Sequence, residues 1–148
     1  MIFYKAILFQ FLFLPFVINA AITVYISVYQ VRKEGESNHW AIFLDGPKRV
    51  ILQLADQETG NGYYVEEPIY NKSPTRARRH LKSYHVGKIN SNNKFDYAIS
   101  TVQSTPISHG SSTWNCQAWS IEALDRLAEA GIFTWEGGKR EHLLSLRN

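Results

Sequence analysis

Hydrophobic and polar positions change period twice along this chain. From Thr23 to Val31, β-branched and aromatic residues alternate in the manner of a strand. Arg32–Ser37 is charged, contains Gly35 and reads as a turn. Asn38-His39-Trp40-Ala41-Ile42-Phe43-Leu44 is apolar on both faces, which predicts a strand in the middle of a sheet. Asp45-Gly46-Pro47 closes a hairpin into Arg49–Leu54, and Asp56–Gly62 is a polar loop. Tyr63–Val65 and Pro68–Tyr70 read as short strand pieces. Arg76–Lys82 reads as a basic helical turn, and Tyr84–Ile89 as a further strand with Val86 in the core. Helical spacing then takes over. Phe95, Ile99 and Val102 share one face of a short helix that Ser104-Thr105-Pro106 ends. Ile121, Leu124, Leu127 and Ala128 mark a longer helix with Gly131 as its stop. Gly137–Asn148 reads as a flexible basic tail.

These elements add up to one α+β domain over residues 21–136, a small antiparallel sheet packed against a helix. The 148 residues suffice for a single core, and 45% apolar with 14% aromatic content excludes wholesale disorder. A net charge of +3 and a pI near 9.0 are mildly basic, so no nucleic-acid partner is expected. The basic run Arg76, Arg78, Arg79, His80 and Lys82 allows weak association with a membrane surface or polyanion, although such a run is usually a solvated face. A lone cysteine forms no disulfide within the chain. No Cys/His spacing suggests zinc, so neither metal nor cofactor is expected.

Ahead of the first strand, Lys5 precedes the apolar run Ala6–Ile18, and Asn19-Ala20-Ala21 follows. This is the layout of a secretory signal over residues 1–20, which predicts a secreted protein. An uncleaved membrane anchor is the competing reading, because apolar character continues through Ile22–Ile26. The run itself is short for a span, and Pro15 interrupts it.

The single cysteine stands where the loop Gly110–Thr113 gives way to the longer helix. Asn115 occupies the N-cap position, which makes Cys116 the first helical residue. Amide hydrogens and the dipole at a helix start favour an anion. A thiol there is expected to lean toward thiolate, and the same amides to hold an oxyanion on a substrate carbonyl. The plainer reading is a small buried apolar side chain. What separates the two is a base within reach. His39 is the best candidate, since it opens an apolar strand of rigid framework; His85 also lies on a predicted strand. His80 and His109 fall in a basic segment and a loop, and His142 in the tail. A three-residue turn at Asp45–Pro47 pairs Phe43 with Arg49 and sets Gln53 across from His39, where its amide oxygen orients the imidazole. A four-residue turn sends Gln53 to the opposite face, and a glutamine meeting only water or backbone is the plainer reading. Trp114, just before the helix, and Gln117 are candidate substrate-binding residues, while Trp40 and Trp119 read as core.

The combination of Asn38-His39-Trp40-Ala41-Ile42-Phe43-Leu44 with Asn115-Cys116-Gln117-Ala118-Trp119 resembles the circularly permuted papain-like superfamily. That superfamily includes lecithin:retinol acyltransferase-like proteins, small phospholipase/acyltransferase tumour suppressors and relatives of NlpC-type cell-wall peptidases. The likeness spans roughly Thr23 to Ile132, its specific part being the two short segments. It implies a permuted papain-like fold with Cys116 as nucleophile, His39 as general base and Gln53 as polar third member. Two departures stand out. Gln53 occupies the place of the acyltransferases' second histidine, and their Asn-Cys-Glu-His-Phe is Asn-Cys-Gln-Ala-Trp here. The pattern also looks like that of small uncharacterised eukaryotic members of fungal type.

The expected function is therefore a cysteine-dependent acyl hydrolase, acyltransferase or amidase acting through an acyl-enzyme on an unidentified acyl, ester or amide substrate. The alternative is a non-enzymatic secreted binding or effector module on the same fold, with a vestigial site.

Overall fold

The computed structural model describes residues 20–31, 33–57 and 62–148; apart from Ala20, the signal-like segment lies outside them. In chain order the elements are β1 (Ile22–Tyr29), β2 (His39–Asp45), β3 (Arg49–Leu52), β4 (Leu54–Asp56), β5 (Tyr63–Val65), β6 (Ile69–Tyr70), β7 (His80–Ile89), α1 (Phe95–Gln103), α2 (Cys116–Glu129), β8 (Phe133–Trp135) and α3 (Lys139–Leu146). Six strands form an antiparallel sheet in the order β6-β3-β2-β1-β7-β8, while β4 and β5 pair as a separate ribbon. The protein is thus a mixed α+β fold.

Alternation along β1 divides the sheet into two faces. Ile22, Val24, Ile26 and Val28 join Trp40, Ile42 and Leu44 of β2 in the main core, against Ile99 and Val102 of α1 and Leu124 and Leu127 of α2. A fully buried leucine or isoleucine on this face contributes roughly 1.5–3 kcal/mol. The opposite face carries Ala41, Phe43 and Ile51, with Tyr25, Tyr29 and Ile69 packed beside them. β2 is buried on both faces, on the second by side chains of its neighbouring strands, as expected of a central strand.

Helix α2 starts and stops by local chemistry. Asn115 is extended (φ −153°, ψ −169°) and its side chain accepts from the amides of Gln117 and Ala118, a cap that contributes about 1 kcal/mol. At the other end Gly131 takes φ +72°. Its amide bonds to the carbonyl of Ala128, and that of Ile132 to the carbonyl of Leu127, the paired bonds of a glycine-terminated helix. Arg126 reaches from α2 to the carbonyl of Thr101 and the hydroxyl of Thr105, closing the end of α1.

Three elements differ from the sequence expectation. The basic segment Arg76–Lys82 holds one end of a 3-10 turn (Pro74–Arg76) and then enters β7 at His80, because pairing with β1 overrides its helical composition. Phe133–Trp135 is a strand that the hydrophobic pattern does not predict. Its three residues are too few for periodicity to show, and they are extended because they pair with the edge of β7. The tail is ordered: α3 buries Leu143 completely, and Arg140 forms a bidentate pair with Asp125 of α2 at 2.7 and 2.8 Å.

Gly87 explains how β8 sits so close. A Cβ there would lie 2.2 Å from the carbonyl oxygen of Thr134 and 2.6 Å from the Phe133 ring. Gly87→Ala is therefore expected to destabilise the fold by about 2 kcal/mol through overpacking. Gly137→Ala, whose Cβ meets nothing within 4 Å, serves as the near-neutral control. Urea unfolding of the two variants checks the difference.

Candidate active site

His39 is the first residue of β2 and Cys116 the first of α2, and both line one cleft of about 410 Å³. Trp114, Asn115, Asp56, Tyr63 and Leu54 complete much of its wall. Among the described residues His39 is the only histidine lining it. His80 is bonded to Ser83, His85 pairs with Glu136, and His142 stacks edge-on to Tyr84. A larger lobe of about 910 Å³ adjoins the first at His39, Glu36 and Asp56. It runs past Tyr29 and Gln53 to Arg78 and Arg79 of the basic segment.

Gln53 reaches His39, but by a different register from the one expected. Asp45 pairs with Arg49 and Phe43 with Ile51, so the loop is Gly46–Lys48 and the pairing is slipped by two residues. A slip of two preserves the face. Gln53 occupies the break between β3 and β4, where the chain leaves the sheet, and its Oε1 lies 2.7 Å from His39 Nε2. Its Nε2 donates to Glu66, whose own backbone amide bonds back to the Gln53 carbonyl at 3.0 Å. Nothing in the sequence pattern singles out Glu66. It lies in the linker after β5, and only the return of the chain places it here.

This chain of bonds sets the tautomer of the histidine. A carboxylate only accepts, so Gln53 turns its amide nitrogen to Glu66 and its oxygen to His39. His39 Nε2 must then carry the hydrogen, and in the neutral ring Nδ1 keeps its lone pair. Burial depresses the imidazole pKa below its ordinary 6.5; the Gln53 bond and the Glu66 charge oppose that shift without overcoming it. Tyr29 packs against the ring at 5.8 Å between centroids. Burial pushes its hydroxyl up to about 12, so it stays neutral.

Burial overturns the expectation of a thiolate at Cys116. It raises the thiol pKa above the ordinary 9.0. The backbone amides of Trp40, Cys116 and Gln117 pull it down but do not win, and the nearby Asp56 charge adds to the rise. The helix start does favour an anion, yet Asn115 already takes the amides of Gln117 and Ala118, and the residue is only 9% exposed. At neutral pH the cleft therefore holds a neutral thiol and a neutral imidazole.

Trp114 stands at the cleft wall, its ring edge-on to Tyr63 and its indole nitrogen bonded to Glu122 at 3.0 Å. Gln117 faces the other way. It is completely buried and its amide is engaged by Asn38 and Asn148, so it is not among the residues lining the cleft. Trp40 and Trp119 are core, as their sequence context predicts, with the Trp119 indole bonded to the carbonyl of Thr105. Among the described residues no cluster of three His, Cys, Asp or Glu side chains is arranged to hold a metal ion, and no helix is long and apolar enough to cross a membrane.

The profile of one protein family covers residues 24–134, from β1 through most of β8. The chain belongs to the family of unknown function DUF6540. Neither a curated protein nor a solved structure matches it. The matched region contains His39, Gln53, Glu66, Trp114 and Cys116, whereas α3 lies beyond it.

Two effects of pH are expected. Alkylation of Cys116 in the folded protein should be slow at neutral pH and rise with pH toward a midpoint above the ordinary 9.0, with Asp56→Asn moving that midpoint down. A thiol that reacts fully at acidic pH would contradict this electrostatic picture. Linkage gives the second effect. The depressed His39 contributes stability present above pH 6.5 and lost as pH falls through its folded value. The raised Cys116 contributes stability present below pH 9.0 and lost as pH rises through its folded value. Urea unfolding across pH checks both, and His39→Gln should flatten the acid side.

Proposed function

We propose that this DUF6540 protein is a cysteine-dependent acyl hydrolase, acyltransferase or amidase built on a permuted papain-like framework. The observation that carries the reading is the His39–Gln53–Glu66 bond chain. It commits the imidazole to the tautomer in which Nδ1 is a proton acceptor, in the cleft that also holds Cys116.

The reaction runs in two halves. Cys116 Sγ attacks the carbonyl carbon of an ester, thioester or amide while its proton passes to His39 Nδ1. The neutral resting state costs little here, because proton and nucleophile move in the same step and no buried charge pair has to be maintained beforehand. The amide of Cys116, which Asn115 leaves uncapped, is the donor suited to the oxyanion. The tetrahedral intermediate collapses as the proton on His39 goes to the leaving oxygen, sulfur or nitrogen, which leaves a thioester on Cys116. Water or an acceptor alcohol or amine, deprotonated by His39, then attacks the thioester and restores the thiol. Trp114 and Tyr63 supply an apolar wall beside the reacting carbon. The signal-like character of residues 1–20 favours an activity exercised outside the cell.

A second reading has an observation of its own. The burial and raised pKa of Cys116 suit a vestigial site kept for binding, on the same fold. Turnover separates the two. Screening activated esters, thioesters and anilides should find a substrate whose hydrolysis is abolished by Cys116→Ala and lowered roughly a thousandfold by His39→Ala. Gln53→Ala, which frees the ring to turn, should lower kcat about ten- to a hundredfold with little change in KM. Activity unaffected by Cys116→Ala would end the catalytic reading.

A further inference from the structure

Base and nucleophile sit on elements far apart in sequence, and a second bond network joins those elements behind the cleft. Its centre is the Gln117 amide, one residue past Cys116 and completely buried. Nε2 donates to the backbone carbonyl of Asn38, the residue before His39 and 79 positions away, at 2.9 Å. The same nitrogen donates to Oδ1 of Asn148 at 3.0 Å, and Oε1 accepts from the Asn148 backbone amide at 3.2 Å. Both donors and the acceptor of this side chain are therefore in use. Two further bonds converge on the same place. Arg147 donates to the carbonyl of Thr113 at 3.1 Å, and the hydroxyl of Ser37 donates to the carbonyl of Asn148. Residues 147–148 thus touch the segment that leads into β2 and the segment that leads into α2. Leu143, buried in the core, and the Arg140–Asp125 pair hold α3 so that this end arrives in position.

We infer that Gln117 and Asn148 form a clasp that positions the Cys116–His39 pair, so that residues 147–148 complete the site without touching substrate. The inference rests on the proposed reading of Cys116 and His39 as a reacting pair. Its physical basis is the cost of a buried amide left unpaired. Without Asn148, the buried Gln117 amide loses the partner of one N–H and of its oxygen, and must turn or take solvent in their place. Either movement releases the carbonyl of Asn38, and with it the start of the strand that carries His39.

Acylation of Cys116 by p-nitrophenyl acetate, followed as the burst of p-nitrophenol across pH in the 148-residue chain, tests this. The comparison set is wild type, His39→Ala, Asn148→Ala, Asn148→Asp and a chain ending at Leu146. The expected result is that His39→Ala slows the neutral-pH reaction, and that Asn148→Ala and the shortened chain lose the His39-dependent part by roughly ten- to a hundredfold, the scale set by small misplacement of reacting groups. Asn148→Asp keeps the acceptor for Gln117 and should retain the wild-type profile. Asn148→Ala alters one exposed side chain, so its effect does not depend on whether the shortened chain folds. If His39→Ala matches wild type, no reacting pair exists, and the proposed function and the clasp fall together. A His39 effect that survives intact in Asn148→Ala and the shortened chain overturns the clasp alone.

Discussion

Helix α2 lies against β2, and everything at the site depends on that contact. Trp40 and Trp119 are both nearly or fully removed from water in the same core as Leu124 and Leu127, so the helix is held to the strand chiefly by apolar area. His39 and Cys116 stand at the starts of these two elements. Burying the tryptophans therefore also brings His39 and Cys116 to one cleft, and the energy of the core is what opposes the entropy of holding two distant side chains together. Polar bonds then refine a position that packing has already chosen. Asn115 fixes where the helix begins, Gln53 fixes which way the imidazole faces, and Gln117 ties the start of β2 to the start of α2 from behind.

The electrostatics of the pair follow from the same burial. A thiol at a helix start is often a thiolate, and here it is not, because burial removes the water that would solvate the charge and the amides of Trp40, Cys116 and Gln117 do not make up for it. The imidazole is likewise held neutral. A thiol held protonated in this way is protected from adventitious alkylation and oxidation. Glu66 is central to this arrangement although it acts through another residue. By accepting from Gln53 it decides which end of that amide meets His39, and so which ring nitrogen keeps its lone pair.

Family membership and geometry speak to different things. The DUF6540 match runs from residue 24 to residue 134 and carries no activity with it. The chemistry is read from the bonds around His39 and from the place of Cys116.

Much of this protein was legible in its amino acids because the signals were local. The strands β1 and β2, the cap at Asn115, the first helical position of Cys116 and the glycine stop at Gly131 depend on period and on residues within one turn of each other. His39 stands out for the same reason, as a polar residue opening an apolar strand. Gln53 falls on the right face even through an incorrect register, since a two-residue slip in a pleated strand leaves the face unchanged. What tertiary structure decided was every pairing across long separations and every balance of opposing fields. Glu66 behind Gln53, Asn148 behind Gln117, and β8 over Gly87 are contacts between segments with no common period. The protonation of the thiol belongs with them: the helix start that favours its charge is local, whereas the burial that prevents the charge is made by the whole fold.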